Sequence, residues 1–241
     1  MKYGLLSDVH SNLEALNAVL MKFKEEQVDK KICIGDIVGY GANPNGCVDL
    51  IRNNNFECVA GNHDWAVIGK QDIEHFNPIA KESIIWTTNK LTGNNREYLE
   101  QLELKKEFPE FVIVHATILE PDQWKYVRTT FVAHRNFEEL TKPVCFFSHS
   151  HVPIVFKEIE GRVSYSFDMN IKLEEDIKYL INIGSVGQPR DKNPDACYAI
   201  YDTEEKKVEI KRVSYDIKTA QDKIVEADLP RTSAYRLKTG E

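Results

Sequence analysis

The feature that most constrains this fold is a repeated pairing of a short apolar run with a loop that carries Asp, Asn or His. It first occurs at residues 1–10, where the run ending at Leu6 leads into Ser7-Asp8-Val9-His10. Four later apolar runs, at 32–34, 58–60, 111–114 and 144–147, end in the same way. Such runs predict buried strands. Because ligands of open α/β sheets bind outside the carboxyl ends of the strands, we expect the loop residues to share one rim. These residues are Asp8, His10, Asp36, Asn62, His63, His115, His149 and His151.

The segment between the first two runs predicts a helix. Ser11 followed by Glu14 is a capping-box pattern. Apolar residues then recur at helical spacing from Leu13 to Phe23, which predicts a helix over 12–27 and a βαβ unit. Pro44 suits the first turn of a second helix, which we expect to end near residue 53. Residues 64–104 are predicted to be mainly helical.

The second half of the chain has a different pattern. Pro109-Glu110 predicts a hairpin turn. Residues 116–136 show weak periodicity, which predicts an irregular loop on the substrate side. Strands are expected at 154–159, 162–167, 179–183, 197–202 and 207–213, with hairpin turns that indicate antiparallel pairing. A helix is predicted over 216–227, and the tail 228–241 is expected to be disordered or packed on a partner. We expect one α/β domain over 1–241.

Charge and cysteine content exclude several classes of protein. The 241 residues carry a net charge of −7, whereas a protein that coats nucleic acid needs a basic face. The five cysteines form no CxxC pair, so we expect free, buried, reduced thiols and a cytoplasmic location. We expect no signal peptide, because Asp8 and His10 interrupt the first apolar stretch. No apolar run approaches the ~20 residues of a membrane span.

The chemistry of the loop residues indicates a metal site. Five of the seven histidines belong to this set, whereas His75 and His134 are expected to be exposed and without a role. Carboxylate, amide and imidazole ligands without cysteine suit Mn, Fe(II), Zn or Ni and disfavour a structural zinc site. The set has more ligands than one metal needs, so we expect two metals if one carboxylate bridges them.

The loop residues, taken in order, resemble the five motifs of the calcineurin-like metallophosphoesterases, which are D-x-H, G-D, G-N-H-[DE], H and G-H-x-H. Residues 182–190 are similar to the N-x-G-S-x-G-x-P-R pattern of the small bacterial and archaeal phosphodiesterase branch. Ser148 and Ser150 depart from the usual Gly and Thr. The resemblance implies a four-layer αββα sandwich with two mixed sheets, in which the βαβ half extends to about residue 115 and a more antiparallel half lies behind it.

The resemblance also implies roles for single residues. One metal would be held by Asp8, His10, Asp36 and His151, and the second by Asp36, Asn62, His115 and His149. Asp36 would bridge the two divalent ions, for which Mn is the first choice and Fe, Zn or Ni are alternatives. A metal-bridging hydroxide would attack phosphorus while His63 assists the leaving group. Asp64 would orient His63 through a hydrogen bond.

The substrate is expected to be a small phosphorylated molecule, either a phosphodiester or a nucleotide-type phosphomonoester. Its expected contacts are Gly184, Ser185, Arg190, Trp124 and Arg128. Alternatives are a phosphoprotein or dinucleoside polyphosphate phosphatase, a hydrolase of another bond such as an amide, and a non-catalytic protein-binding scaffold like the small retromer subunit. No nucleic-acid or membrane partner is indicated, and a homo-oligomer is left open.

Overall fold

The computed structural model describes all 241 residues and contains twelve strands and eight helices. The strands are β1 (Lys2–Leu6), β2 (Lys30–Cys33), β3 (Glu57–Cys58), β4 (Lys105–Glu107), β5 (Phe111–Val114), β6 (Val144–Phe147), β7 (Ile154–Ile159), β8 (Arg162–Ser166), β9 (Asn170–Lys172), β10 (Lys178–Asn182), β11 (Ala196–Asp202) and β12 (Lys207–Val213). The helices are α1 (Leu13–Glu25), α2 (Pro44–Asn53), α3 (Asn62–Val67), α4 (Pro78–Lys90), α5 (Gly93–Glu100), α6 (Thr130–Glu138), α7 (Ile217–Glu226) and α8 (Arg231–Thr239). None of these helices is long and apolar enough to cross a membrane.

The strands form two mixed six-stranded sheets, as expected. The first has the order β3-β2-β1-β11-β12-β9, with β1, β2 and β3 parallel and the other three strands joined by antiparallel pairing. The second has the order β4-β5-β6-β10-β7-β8, with β5, β6 and β10 parallel. The parallel strands end at the same edge of each sheet, and this edge carries the loops identified above.

The predicted division of the chain near residue 115 is wrong. Strands β4 and β5 already belong to the second sheet, and β11 and β12 return to the first sheet beside β1. Six consecutive residues of β11 are buried, which requires cover on both faces and suits a strand in the middle of a sheet. Burial patterns of this kind predict an interior strand but do not tell which sheet it enters.

Alternating side chains in the strands produce the four layers. Tyr3 and Leu5 point into the core between the two sheets, whereas Leu6 packs against the helices that cover the first sheet. In the second sheet Ile113 also points into the core between the sheets, while Val114 faces α6. One apolar layer therefore joins the sheets, and a further layer lies under the helices on each outer face, which confirms the αββα sandwich.

The first helix begins one residue later than its capping box predicts. The side chain of Asn12, not that of Ser11, accepts a hydrogen bond from the Ala15 N–H at 3.1 Å. Ser11 has a φ of 56°, and its buried hydroxyl has no hydrogen-bond partner. A capping residue normally has an extended backbone, so the left-handed conformation of Ser11 excludes it from that role.

Two segments expected to be irregular contain helices. Within 116–136 the chain forms a short 3-10 turn at Pro121–Gln123 and then α6, whose Phe137 is buried against the second sheet. The tail 228–241 is neither disordered nor free, because α8 packs against α7 through buried residues such as Leu237 and Ile224. Each helix has few apolar positions, and helices of this length depend on tertiary packing more than on propensity.

Candidate metal centre and active-site cavity

The loops after β1, β2, β3, β5 and β6 converge at one end of the two sheets. His10 Nε2 lies 3.6 Å from Asp36 Oδ2, and His115 Nε2 lies 3.4 Å from the same oxygen. His151 Nε2 lies 3.3 Å from Asp8 Oδ1. All five side chains are buried. The expected convergence is therefore confirmed, and Asp36 stands between the two sides of the cluster.

Two groups of possible ligand atoms are compact, with every pair of atoms within 4.8 Å. One group contains Asp8, His10 and His151, and the other contains Asp36, His115 and His149. These groups agree with the two sets implied by the family resemblance, with two differences. The implied second set also contains Asn62, and the implied first set also contains Asp36. A third combination, of His10, Asp36 and His63, is equally compact, so proximity alone does not separate His63 from the ligands.

The histidines are oriented by the main chain. The Nδ1–H groups of His10, His115 and His151 donate to backbone carbonyl oxygens, which turns each Nε2 atom toward the site. The acceptors are Val38 O at 3.1 Å, Ile34 O at 2.7 Å and Gln188 O at 2.6 Å, respectively. His149 differs, because its Nδ1 faces His115 Nε2 at 3.2 Å and its ring stacks on Tyr126.

The donor set fits divalent cations. His10 Nε2 and His151 Nε2 are 3.1 Å apart although both Nδ1 atoms carry the donated proton, so two lone pairs oppose each other. Asp8 Oδ1 and Asn62 Oδ1 are buried without a hydrogen-bond partner. Unpaired buried acceptors are costly. A cation held by Asp8, His10 and His151 would satisfy the first three of these atoms, and a second cation would satisfy Asn62. Oxygen and nitrogen donors suit such ions.

The electrostatics of the cluster also suit a cation. Burial raises the pKa of Asp8 and Asp36, but the facing imidazoles lower it by more, so the pKa of each carboxyl is below its usual value and both are ionised. The largest of these opposing effects comes from His151 for Asp8 and from His115 for Asp36. Burial lowers the pKa of His10 and takes that of His149 to about 3, so these rings are neutral.

His115 is the exception among the imidazoles. Burial lowers its pKa, but the charge of Asp36 and a hydrogen bond to it, followed by the charge of Asp8, outweigh burial and raise the pKa to about 9. A bound metal would have to displace this proton.

The backbone of the cluster is strained. Asp8, His10, Asp36, His149 and His151 all adopt left-handed φ values, between 48° and 65°. Such conformations are uncommon for residues other than glycine and cost of order 1–3 kcal/mol each. Backbone hydrogen bonds between loops hold them, including Asp8 N to Gly35 O and His10 N to Asp36 O, both at 3.0 Å.

His63 lies at the floor of the cluster in an aromatic pocket. Its ring contacts those of Tyr40, His10 and Phe76, with centroids 4.7, 4.8 and 5.5 Å away. Burial, with help from nearby His151 and Arg190, lowers the pKa of His63 to about 4 against the opposing effect of Asp36. Its backbone N–H donates to Asp36 Oδ1 at 2.8 Å.

The expectation that Asp64 hydrogen-bonds to His63 is wrong. Asp64 Oδ1 accepts the backbone N–H groups of Ile37 and Val38 at 2.9 and 3.2 Å, and Oδ2 accepts that of Gly61 at 3.0 Å. Burial and then the charge of Asp36 raise its pKa to about 7, although these backbone donors oppose the change. Asp64 therefore ties the loop after β2 to the start of α3 and acts on the backbone of the site.

A cavity of about 390 Å³ opens over the cluster. Its floor contains Asp36, Asn62, His63, His149 and His151, and its walls contain Tyr40, Arg190 and residues from segments 71–80 and 123–126. His75, expected to have no role, is exposed as predicted but lies on this wall. Tyr40 and Phe76 were not identified from the sequence. For Tyr40 a signal exists, because it stands between two glycines in the loop that carries Asp36.

The expected substrate contacts occupy different places. Trp124 and Arg190 line the cavity, and the Arg190 guanidinium donates to Gln188 Oε1 at 2.9 Å. Arg128 does not line the cavity, because its guanidinium packs on the ring of Tyr126, 4.1 Å from the centroid.

Gly184 and Ser185 are also not brought to the cavity. The Ser185 hydroxyl donates to Asp8 O at 2.9 Å and accepts from Gln188 N at 2.9 Å. Ser148, which replaces the usual Gly, lies with its hydroxyl within hydrogen-bond distance of Asp8 Oδ2. The 184–188 segment therefore supports the Asp8 loop from behind.

Comparisons with known proteins agree with this arrangement. Residues 1–206 match the model of the calcineurin-like phosphoesterase superfamily domain. MJ0912, an uncharacterized protein of Methanocaldococcus jannaschii, is 44% identical over 242 residues, which cover 98% of this chain and 97% of that protein. The crystal structure of a metallophosphoesterase from Sphaerobacter thermophilus has a TM-score of 0.89 at 38% identity, and the match covers 100% of this chain and 99% of that one.

A second solved structure extends the comparison of the fold. The hypothetical protein PH1004 from Pyrococcus horikoshii has a TM-score of 0.80 at 21% identity, with 100% of this chain and 98% of that chain covered. At this identity the likeness concerns the fold alone. The family match spans every loop of the ligand cluster, and the fold and donor set agree with it. The chain therefore belongs to the calcineurin-like phosphoesterase superfamily.

Proposed function

We propose that this protein is a dinuclear-metal-dependent phosphoesterase that hydrolyses a phosphodiester or a nucleotide-type phosphomonoester. The observation that carries the proposal is the position of Asp36. Its Oδ2 lies within 3.6 Å of His10 Nε2 and within 3.4 Å of His115 Nε2, which belong to different ligand groups. One oxygen can therefore serve two ions at the floor of an open cavity. Membership of the family supports the same reaction class.

The metals would be held by the two sets described above, with Asn62 completing the second. When bound, two divalent ions neutralise phosphoryl oxygens and lower the pKa of a bound water toward neutrality. We propose Mn as the physiological ion, with Fe, Zn and Ni as alternatives, because the donors are oxygen and nitrogen atoms only. The left-handed loops would fix the position of five of these donors.

His63 would act on the leaving oxygen. Its Nδ1 is buried with no hydrogen-bond partner and lies against Gly39, where even an added Cβ would overlap it. A buried N–H without an acceptor is costly, so the neutral ring carries its proton on Nε2. His63 therefore presents a donor to a molecule in the cavity. Proton transfer or hydrogen bonding of this kind typically contributes 10²–10⁴-fold in rate.

The walls of the cavity support an aromatic or nucleotide-type ester. Trp124, Tyr126, Tyr40 and Phe76 supply aromatic surface, and Arg190 supplies a cation for a phosphate oxygen. The volume of about 390 Å³ is within the usual range for small-molecule pockets. Gly184 and Ser185 would contribute by holding the Asp8 loop and not by touching substrate. Five free and buried cysteines support a cytoplasmic location.

The test is hydrolysis of a generic aryl phosphodiester by the purified protein with Mn, Zn, Ni or Fe(II), alongside mono- and dinucleotide esters. Asp36→Asn should abolish turnover because it removes the shared charge, and His63→Ala should lower it by about 10²–10⁴-fold. Turnover like that of wild type in either variant contradicts the mechanism. Metal binding without turnover of any ester would favour the protein-binding scaffold instead.

A further inference from the structure

One candidate ligand is held differently from the other three histidines. His10, His115 and His151 each donate Nδ1–H to a backbone carbonyl. The ring of His149 has no such bond, and the only polar group of the protein within hydrogen-bond distance of it is His115 Nε2. Its orientation depends instead on the ring of Tyr126, which stacks on it at a centroid distance of 4.3 Å and an interplanar angle of 19°.

Tyr126 is exposed, but the segment to which it belongs, residues 120–128, is anchored by its neighbours. On one side Trp124 is buried, donates from Nε1 to Gln71 Oε1 at 2.8 Å and meets the edge of Trp65. On the other side Val127 is buried in the core under α6. Because His149 covers one face of the Tyr126 ring, the Arg128 guanidinium, 4.1 Å from the centroid, must lie over the opposite face. The tyrosine is thus held between a cation and an imidazole.

The contacts of this segment are confined to one half of the ligand cluster. Trp124 meets the ring of His115 with its centroid 6.0 Å away, and Tyr126 stacks on His149. The aromatic rings that contact His10 are those of Tyr40, His63 and His151, none of which lies in the segment. The two groups of ligands are therefore supported by separate parts of the chain.

We propose that Tyr126 positions His149 by stacking, so that segment 120–128 sets the divalent-cation affinity of the Asp36–His115–His149 group and leaves that of the Asp8–His10–His151 group unchanged. This inference rests on the proposed dinuclear centre. Residues that orient a metal ligand from outside the coordination sphere typically change metal affinity 10–100-fold when removed. A stacked ring can supply this restraint because it limits rotation of the imidazole.

The experiment is calorimetric titration of the chelator-treated full-length protein with MnCl₂. Wild type should bind two ions. Tyr126→Ala should weaken one of the two binding events about 10–100-fold and leave the other within twofold. Tyr126→Phe keeps the flat ring and should retain both affinities. Tyr165→Ala removes an exposed tyrosine of β8, outside the cavity, and is the matched control for loss of an aromatic side chain.

Three results would overturn the inference: a Tyr126→Ala isotherm that matches wild type, equal weakening of both ions, or a wild-type protein that binds fewer than two. If Tyr126→Ala does not fold, as judged by circular dichroism, Tyr126→Leu fills the space without a flat ring and must give the same selective loss. The readout is metal binding and not turnover. A protein that binds two ions and cleaves no ester would refute the proposed function and leave the role of Tyr126 intact.

Discussion

A single methyl group added to Gly61 tests the geometry of the whole cluster. Gly61 has φ −102° and ψ 175°, an extended backbone that alanine adopts without strain. Any effect of Gly61→Ala must therefore come from what the methyl group meets. It would stand 2.7 Å from Asp36 Cγ and closer still to Asp36 Oδ1, the atom that accepts the His63 N–H. Asp36 is the carboxylate that we propose the two metals share.

The size of the effect follows from these contacts. A carbon 2.7 Å from Asp36 Cγ must move out by at least 0.7 Å to reach the ordinary contact distance of 3.4 Å, and its overlaps with Asp36 Oδ1 and with the Asp36 backbone nitrogen are deeper still. Displacement of a reacting group by about 1 Å costs on the order of 10²-fold in rate. Overpacking of this kind also costs about 1–3 kcal/mol of stability, and each kcal/mol lowers Tm by about 2–4 °C in a protein of this size. We expect both losses together.

The assays are kcat/KM on an aryl phosphodiester with Mn, affinity for Mn by calorimetry, and thermal unfolding followed by circular dichroism. Gly93→Ala is the matched control, because nothing lies within 4 Å of a Cβ at that helix-start position. It should leave activity unchanged and raise stability by up to about 1 kcal/mol. The reasoning is refuted if Gly61→Ala keeps its rate and its Mn affinity within threefold of wild type.

Three further predictions concern stability and protons. Ser11→Gly should raise Tm by about 2–4 °C, since it relieves a left-handed φ of 56° and removes a buried hydroxyl without a partner; a lower Tm contradicts this. Asp64→Asn should lower the free energy of unfolding in urea by about 1–3 kcal/mol, because the amide nitrogen of Asn would face a backbone N–H and could not accept its hydrogen bond. An unchanged free energy of unfolding contradicts this. In chelator, unfolding free energy should fall by about 3 kcal/mol between pH 6.5 and 9. His115 holds its proton in the folded state up to a pKa of about 9 and loses it near 6.5 when unfolded, so the contribution is complete below pH 6.5 and gone above 9. Saturation with Mn should abolish this slope, since the ion replaces the proton; a slope that persists in Mn, or none in chelator, refutes the assignment.

The sequence predicts the strand ends, and with them most of the cluster, for a simple reason. Each candidate ligand lies in the loop that follows a short apolar run, and strands of that kind end at one edge of a sheet. The predicted bounds of β7, β12 and α2 are also confirmed. Turn residues in the sequence mark the ends of the two strands, and Pro44 marks the start of the helix. Patterns along the chain are sufficient wherever a feature depends on neighbours in sequence.

The predictions fail where contacts between residues distant in sequence determine the structure. His63 and Asp64 are adjacent in sequence, but successive residues of a helix point about 100° apart, so the carboxylate of Asp64 turns to the backbone of another loop. The position of β11 beside β1 depends on pairing between residues far apart in the chain, such as Lys2 and Asp202. The helix α8 has two buried apolar residues, Ala234 and Leu237, and too weak a periodicity to be recognised.

The left-handed backbone at five candidate ligands has a consequence for the evolution of this protein. At Asp8, His10, Asp36, His149 and His151 the main chain would prefer glycine, and at about 1 kcal/mol or more for each the total is comparable with the 5–15 kcal/mol by which a domain is stable. Selection for heat resistance alone would therefore favour glycine at these five positions. Where these five side chains are kept, selection on the chemistry of the site must keep them. A more thermostable protein of this kind then has to gain its stability at other positions of the fold.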